Sequence, residues 1–181
     1  MKWKVLESKQ IFKEPWLNVR KEVCELPNGK KHSSYYILEY PSWVSAFAIT
    51  EDNKVLLVKQ YRHGLDVIST ELPGGVVDKG ETEEVAIARE LKEETGYVFE
   101  SIQYLGKISP NPATSNNYMH MFIAKGGRKV AEQSLDETED VEVLTVTIEE
   151  LKQLLREHKI VQALHVSCMF YALEKLGKLK Y

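Results

Sequence analysis

The stretch Gly74-Gly75-Val76-Val77-Asp78-Lys79-Gly80-Glu81, running on through Arg89-Glu90-Leu91-Lys92-Glu93-Glu94-Thr95-Gly96-Tyr97, constrains this chain more than any other. It reads as a glycine loop entering a helix with a surplus of negative charge on one side. Val85, Ala86, Ile87, Ala88 and Leu91 supply apolar contacts that can seat such a helix on a sheet. Thr82 or Glu81 gives the first turn a polar start, where acidic side chains suit the helix dipole. Gly96 stands where a helix C-terminus favours positive φ.

Glu90, Glu93 and Glu94 stand at i, i+3 and i+4 and share one helix face. Like charges at that spacing cost about 0.2–0.5 kcal/mol per pair on an exposed helix, so an offsetting charge is expected. Arg89 is spaced to pair with Glu93, whereas Glu90 and Glu94 have no obvious basic partner. A cluster of hard oxygen ligands suits Mg²⁺ or Mn²⁺, often held by few carboxylates plus substrate phosphates. The plain alternative is a solvated charged face.

The length of 181 residues suits one domain with a real core. A net charge of −3 argues against a general nucleic-acid or membrane-surface binder. No apolar run reaches membrane-spanning length. The N-terminus has no uninterrupted apolar run, so no signal peptide is expected. Cys24 and Cys168 lie far apart and show no metal spacing. A reduced, cytoplasmic protein with two incidental thiols is the simplest expectation.

Trp3 to Phe12 and Leu17 to Leu26 alternate loosely and predict solvent-facing antiparallel strands, with Val19, Val23 and Leu26 among charges. Pro27-Asn28-Gly29-Lys30 is a hairpin turn, and Ser34 to Glu39 returns as a strand that ends before Pro41. This gives a small N-terminal sheet over 1–41 ahead of a main domain over 42–181. Trp43 to Thr50 and Val55 to Tyr61 predict a core hairpin, with Arg62, His63 and Gly64 at its end. Val67 to Leu72 leads into the glycine loop. Val98 to Ile108 and Tyr118 to Ala124 read as strands around the turn-rich Ser109–Asn117 loop. Lys125 to Arg128 reads as a glycine turn, Leu135 to Asp140 as an acidic loop, and Val141 to Thr147 as a strand. Thr147 and Glu150 make a capping-box pattern before Leu151, Leu154 and Leu155. A last helix spans about Val161 to Leu176, with Leu164, Cys168, Tyr171, Ala172 and Leu173 on its apolar side. Lys175, Lys178 and Lys180 suit its end. The order predicts an α+β fold or a mixed-sheet sandwich.

From Gly75 the pattern is Gly, five residues, Glu81, seven residues, Arg89-Glu90-Leu91, one residue, Glu93-Glu94, one residue, Gly96 and Tyr97. It resembles the Nudix box residue for residue, save that Tyr97 takes a position usually aliphatic. Lys59-Gln60-Tyr61-Arg62 followed by Glu71-Leu72-Pro73-Gly74-Gly75, with Pro112 beyond the box, resembles the ADP-ribose and nucleoside-diphosphate-sugar pyrophosphatases. Pro112-Ala113 stands where that group often has Pro-Gly, and Asn116-Asn117 where it is more acidic. The resemblance implies an α/β/α sandwich with a mixed central sheet. It also implies a homodimer through the N-terminal sheet, a nucleoside diphosphate sugar as substrate, and Mg²⁺ as cofactor with Mn²⁺ as a substitute. Most specifically it implies cleavage of ADP-ribose to AMP and ribose 5-phosphate; GDP-mannose, an ADP-sugar or a dinucleoside polyphosphate are the rivals. A sensor that binds ADP-ribose without turnover would usually carry a DNA-binding appendage. No basic helix-turn-helix follows here, and every box carboxylate is present.

The resemblance also assigns residues. Glu90 and Glu94 hold metal, Glu93 holds it directly or through water, and the Gly74 carbonyl is a backbone ligand. Arg89 orients Glu93, and Glu81 joins that network. Glu137 is the first choice for general base, with Glu139, near the metal, second; an exposed acidic loop is the alternative. Arg62 is the candidate phosphate clamp, since guanidinium matches phosphate geometry, against a surface salt bridge. Glu71 and Pro112 are expected at the substrate. Trp16, with Tyr35 or Tyr36 of a partner subunit, is placed to stack adenine, against a role in filling the dimer interface. His63 and His120 are left out, because a lone histidine is usually structural.

Overall fold

A computed structural model describes residues 1–179, and they fall into two units. Lys180, expected near the last helix end, lies outside the described residues. The first unit holds Met1–Pro41 together with Ser109–Tyr118; the second holds Ser42–Ile108 and the chain from Met119 onward.

In the first unit β1 (Lys4–Glu14), β2 (Leu17–Glu25) and β3 (Lys31–Glu39) form an antiparallel sheet in that order. Gly29 turns the β2–β3 connection at φ 79°. The ladder continues to Glu25↔Lys31, so β3 begins ahead of the expected Ser34. β2 loses its strict alternation between Val19 and Glu22, beside the irregularity of β1 between Gln10 and Phe12. Its buried positions are therefore Val19, Glu22 and Cys24, not a run of valines. Arg20 donates to the buried Glu22 at 2.8 Å, which offsets the desolvation of that carboxylate.

Ser109–Tyr118 is fastened to β3. Leu38 N–H donates to the Thr114 carbonyl at 2.7 Å, and Asn116 N–H to the Leu38 carbonyl at 3.2 Å. The Asn116 side chain accepts from Tyr40 N–H, and the buried Asn117 donates to the Pro41 carbonyl at 3.0 Å. The two asparagines thus clasp the loop.

The second unit is built on β4 (Trp43–Thr50), β5 (Val55–Arg62), β6 (Val67–Glu71), β7 (Tyr97–Val98), β8 (Ser101–Ile108), β9 (Met119–Lys129) and β10 (Val141–Val146). The sheet order is β10-β5-β4-β9-β7, with β6 on β5 and β8 on β9. β4 and β9 run parallel, and the other pairs are antiparallel. Strand alternation sorts the core into two faces. Val44, Ala46, Ala48, Leu56 and Phe122 meet Ala86, Ile87 and Leu91 of α1 (Glu83–Thr95). Phe47, Leu57, Met121 and Ile123 meet α2 (Ile148–Arg156) and α3 (Ala163–Lys175). Small alanines on β4 let α1 approach closely. The product is an α+β helix–sheet–helix sandwich with a mixed central sheet and a separate small antiparallel sheet, as expected.

Four local expectations change. The β4–β5 hairpin pairs only at its base, Ile49↔Val55, because β4 bonds instead to β9 and to the Pro73–Gly75 segment. Lys125–Arg128 is no turn: β9 runs through it, with Gly126 at φ 69° in a bulge. Val98–Ile108 is two strands rather than one, split at Phe99-Glu100 opposite that bulge. Tyr171 lies outside the buried stripe of α3 and is exposed; His165 and Met169 are inside it.

α1 starts at Thr82, whose hydroxyl accepts from Val85 N–H, and ends at Gly96, φ 75°. The predicted capping box of Thr147 and Glu150 starts α2. A Cβ on Gly96 would lie 2.1 Å from the Ala131 carbonyl oxygen, whereas one on Gly80, φ 90°, meets nothing within 4 Å. Both replacements strain the backbone, but only one collides with it. Gly96→Ala is expected to lower stability by well over about 1 kcal/mol and Gly80→Ala by about 1 kcal/mol, read from urea unfolding.

Candidate active site

The segment Leu72–Gly75 lies along β4 where β5 has splayed away. Ala46 N–H donates to the Pro73 carbonyl at 3.1 Å, and Val44 N–H to the Gly75 carbonyl at 2.9 Å. A Cβ on Gly74 would stand 2.1 Å from the Val44 carbonyl oxygen, and one on Gly75 would stand 2.3 Å from Glu90 Oε1. Gly74 therefore requires glycine, because it meets backbone at positive φ, whereas at Gly75 only the Glu90 carboxylate would have to move. The strap is held between β4 on one side and the acidic face of α1 on the other.

Arg89 organises that face. Its Nε and Nη2 donate to the two Glu81 oxygens at 3.0 and 2.9 Å. Nη1 donates to Glu90 at 2.9 Å and Glu93 at 3.0 Å, and Nη2 also to the Val76 carbonyl at 3.0 Å. All five guanidinium N–H donors are thereby engaged. Glu81 leads the causes that raise the Arg89 pKa, against burial. Glu90 does have a basic partner, then, in its own sequence neighbour. Residues i and i+1 do not normally face each other on a helix, which is why spacing did not suggest it.

Glu94 is the exception. It is 5% exposed, and its carboxylate accepts from Gly74 N–H at 2.9 Å. Among the described residues it forms no ion pair. Burial, with the charges of Glu90 and Glu139 and against the Gly74 hydrogen bond and the charge of Arg62, pushes its carboxyl up to about 8. Burial also raises Glu90, against Arg89 and with Glu93 and Glu139 adding. Four carboxylates thus crowd one another at the strap.

Among the described residues no three acidic, imidazole or thiol groups converge on one point as a formed metal site. Arg89 draws Glu90 and Glu93 aside, and Gly74 N–H draws Glu94. The donor set nevertheless fits a hard divalent cation. The oxygens on offer are hard donors, and the most buried carboxylate among them, Glu94, forms no ion pair among the described residues.

The acidic loop is fastened at both ends to α1. Ser134 N–H donates to the Glu93 carbonyl at 2.9 Å. The Gln133 amide bridges the carbonyls of Glu94 and Val141 at 2.7 and 2.8 Å. Between these ends Glu137 is exposed, and Glu139 Oε2 accepts from Asp136 N–H at 3.2 Å.

Arg62 is half exposed and forms a fork with Glu71: Nε to Oε1 at 2.9 Å and Nη2 to Oε2 at 2.6 Å. Glu71 is 1% exposed and lies behind Arg62, not at a surface open to substrate. Burial pushes its carboxyl up, but Arg62 and His165 outweigh that and hold it well below the usual range. The remaining assigned residues belong to the first unit. Trp16 is exposed at the β1–β2 turn, and Pro112 is exposed in its loop. Tyr35 donates its hydroxyl to the Ala113 carbonyl, and its ring meets Trp3 edge-on at 5.6 Å. Tyr36 is exposed beside Lys21. His63 accompanies Tyr61, and His120 lies 3.5 Å from Glu83.

Sequence reading missed Gln133, Ser45 and His165. Only His165 carried a signal, an imidazole at a buried-stripe position of an apolar helix. Its partners are remote in sequence.

Residues 40–164 match the NUDIX domain, and residues 3–38 match the nucleoside diphosphate sugar hydrolase N-terminal domain. The chain is 34% identical over 169 residues to the methanol dehydrogenase activator of Bacillus methanolicus, covering 93% of this chain and 91% of that one. It is also 34% identical over 161 residues to the ADP-ribose pyrophosphatase of Bacillus subtilis (strain 168), covering 88% and 86%. The crystal structure of an ADP compounds hydrolase aligns with a TM-score of 0.86 at 23% identity, over 99% of this chain and 98% of that one. At that identity the likeness is one of fold.

The raised Glu94 carboxyl has a thermodynamic consequence for the metal-free protein. Its folded pKa of about 8 lies above the ordinary 4.5, so the folded state holds the extra proton between them. The Glu94 contribution is full below the lower value and is lost as pH rises through the upper one. The slope is at most about 1.4 kcal/mol per pH unit. In EDTA, Glu94→Gln is expected to be more stable than wild type at pH 8, with the gap closing toward pH 5, measured by thermal denaturation.

Proposed function

This chain belongs to the Nudix family, and from that premise we propose that it hydrolyses the pyrophosphate bond of a nucleoside diphosphate sugar, ADP-ribose first among them. One observation carries the hydrolase site: the buried Glu94 carboxylate, with no ion pair among the described residues, beside the glycine strap and the two carboxylates held by Arg89. Support for the substrate class comes from the nucleoside diphosphate sugar hydrolase match over residues 3–38 and from the Bacillus subtilis relative.

In this reading Glu90, Glu93 and Glu94, with Glu139 and the Gly74 carbonyl, hold Mg²⁺, for which Mn²⁺ substitutes. Held there, a cation would supply charge neutralisation at the phosphate oxygens and a more acidic water. Arg89, with every donor engaged, orients Glu90 and Glu93 rather than touching substrate. Glu137, on its exposed loop, takes the proton of the water that attacks phosphorus, and Glu139 is the second choice. Phosphorus gains the water oxygen and releases the bridging oxygen, giving AMP and ribose 5-phosphate from ADP-ribose. Arg62 offers its exposed half to a phosphate, with Glu71 behind it. Trp16, Tyr35 and Pro112 are assigned to the nucleotide on family likeness.

We place the enzyme in the cytoplasm, where its two free, buried cysteines stay reduced. We assign it a homodimer through the N-terminal sheet of 1–41, supported by Val5, Phe12 and Trp16, large apolar side chains exposed there. Light scattering in solution reads that assembly directly, and a monomer across the micromolar range would remove it.

The deciding assay is phosphatase-coupled phosphate release over ADP-ribose, GDP-mannose, ADP-glucose and diadenosine polyphosphates, with Mg²⁺ and with EDTA. Turnover is expected to need the cation and to be best on ADP-ribose. Glu94→Gln is expected to lower kcat by at least about a hundredfold, the scale of electrostatic groups at developing charge. Unchanged kcat in that variant would remove Glu94 from the site, and a different best substrate would replace ADP-ribose. A second reading follows from the Bacillus methanolicus relative, whose name describes activation of methanol dehydrogenase. Methanol dehydrogenase assayed with and without this protein tests it.

A further inference from the structure

Behind Arg62 a file of buried hydrogen bonds runs into the last helix. Arg62 closes β5, Glu71 closes β6, Leu72 opens the strap, and His165 stands in the first turn of α3. His165 Nε2 lies 3.3 Å from Glu71 Oε2, and Leu72 N–H donates to His165 Nδ1 at 3.1 Å. A backbone N–H can only donate, so Nδ1 is bare and the ring proton sits on Nε2, facing the carboxylate. Glu71 therefore accepts from Arg62 on both oxygens and from His165 on one.

Ser45 Oγ lies 3.4 Å from the same Nδ1, which brings serine, histidine and glutamate into the order of a nucleophilic triad. The chemistry of such a site is absent. Ser45 is 1% exposed, its hydroxyl donates to the Pro73 carbonyl at 3.3 Å, and Nδ1 already accepts from Leu72.

The arrangement fits a different task. A carboxylate forked with one arginine can still rotate with it, and the outer half of Arg62 is in solvent. A third donor on Glu71, fixed in a packed helix, removes that freedom. Burying an imidazole is unfavourable unless both nitrogens are bonded, and here both are.

We propose that His165 is a positioning residue of the hydrolase site: its Nε2–H fixes the Glu71 carboxylate, and Glu71 in turn aims Arg62 at the substrate's phosphates. The proposal rests on the hydrolase reading through Arg62. His165 touches no substrate and acts at two removes.

Two substitutions separate the two nitrogens. His165→Asn keeps an acceptor for Leu72 N–H but brings no donor to Glu71. His165→Gln keeps a donor of the right reach toward Glu71 and gives up the Leu72 acceptor. On the best substrate of the panel, His165→Asn is expected to raise KM about tenfold in the direction of Arg62→Ala, with a smaller change in kcat. His165→Gln is expected to recover most of that loss. In an Arg62→Ala background, His165→Asn should add nothing further. A normal KM in His165→Asn while Arg62→Ala raises it would overturn the proposal. So would a larger loss in the glutamine variant than in the asparagine variant, which would assign the effect to the Leu72 tether, or equal losses, which would assign it to the packing of the ring.

A readout free of turnover accompanies the kinetics. The Arg62 Nε–H resonance, followed by ¹⁵N NMR, is expected to exchange slowly in wild type and His165→Gln and faster in His165→Asn. Equal exchange in all three would overturn the relay. A wild type that hydrolyses nothing on the panel defeats the substrate reading instead, and the exchange rates still decide whether His165 holds the Glu71–Arg62 pair.

Discussion

The close approach of a side-chain-free strap to β4 fixes the architecture of the second unit. Gly74 lies against the Val44 carbonyl at a distance that no Cβ permits, so the strap takes hydrogen bonds from Val44 and Ala46 that a neighbouring strand would ordinarily take. β5 is thereby kept from zipping along β4 beyond Ile49↔Val55. It pairs with β10 and β6 instead, with Glu71 opposite Val58 and Arg62 opposite Val67, and the Arg62 side chain reaches along the hairpin to Glu71. The same strap turns Gly74 N–H toward Glu94 and leaves room for the Glu90 carboxylate over Gly75. Sheet topology and carboxylate placement thus follow from the same pair of glycines.

Charge is distributed unequally across the acidic face. A single guanidinium serves Glu81, Glu90 and Glu93 and uses all its donors in doing so. It is a rigid planar fork, so it fixes the direction of each carboxylate as well as screening it. Nothing equivalent is provided for Glu94, which packs against the strap with one backbone N–H. A second arginine there would neutralise the site and close it to any cation. In the metal reading proposed above, a buried carboxylate with no ion pair is the group whose desolvation a divalent cation would offset.

Much of this was legible in sequence because it is local. The spacing of Glu90, Glu93 and Glu94, the cap at Thr82, the positive φ at Gly96 and the capping box of Thr147 and Glu150 each lie within one or two turns of chain. The two-faced core followed from strand alternation and apolar helices. What sequence did not disclose depends on distant partners. Paired glycines are an ambiguous turn signal: Gly126-Gly127 looks like a reversal, but β4 and β7 hold β9 straight through it. The break in β2 alternation falls where its partner β1 is irregular, between Gln10 and Phe12, and Glu22 rather than Val23 is buried. Of the two readings of Arg62, the ion pair is formed, with Glu71, and the half-exposed remainder of the side chain leaves the phosphate reading to the proposal above.

The two buried polar systems of the second unit meet at the strap and restrain it from opposite sides of the sheet. Glu94 of α1 holds the Gly74 N–H, and His165 of α3 holds the Leu72 N–H. These N–H groups sit two residues apart on a segment whose carbonyls at Pro73 and Gly75 are already bonded to β4. The strap therefore has little freedom to shift without breaking a buried hydrogen bond, each worth about 1 kcal/mol net and more if a polar group is left unpaired. A backbone ligand is useful to a metal site only if it stays in place, because a carbonyl cannot be steered by a rotamer. Clamping the strap from both helix layers supplies that rigidity to the proposed Gly74 ligand, and the same His165 ring turns its other nitrogen to Glu71 from a stripe of α3 that is otherwise leucine, cysteine, methionine and alanine.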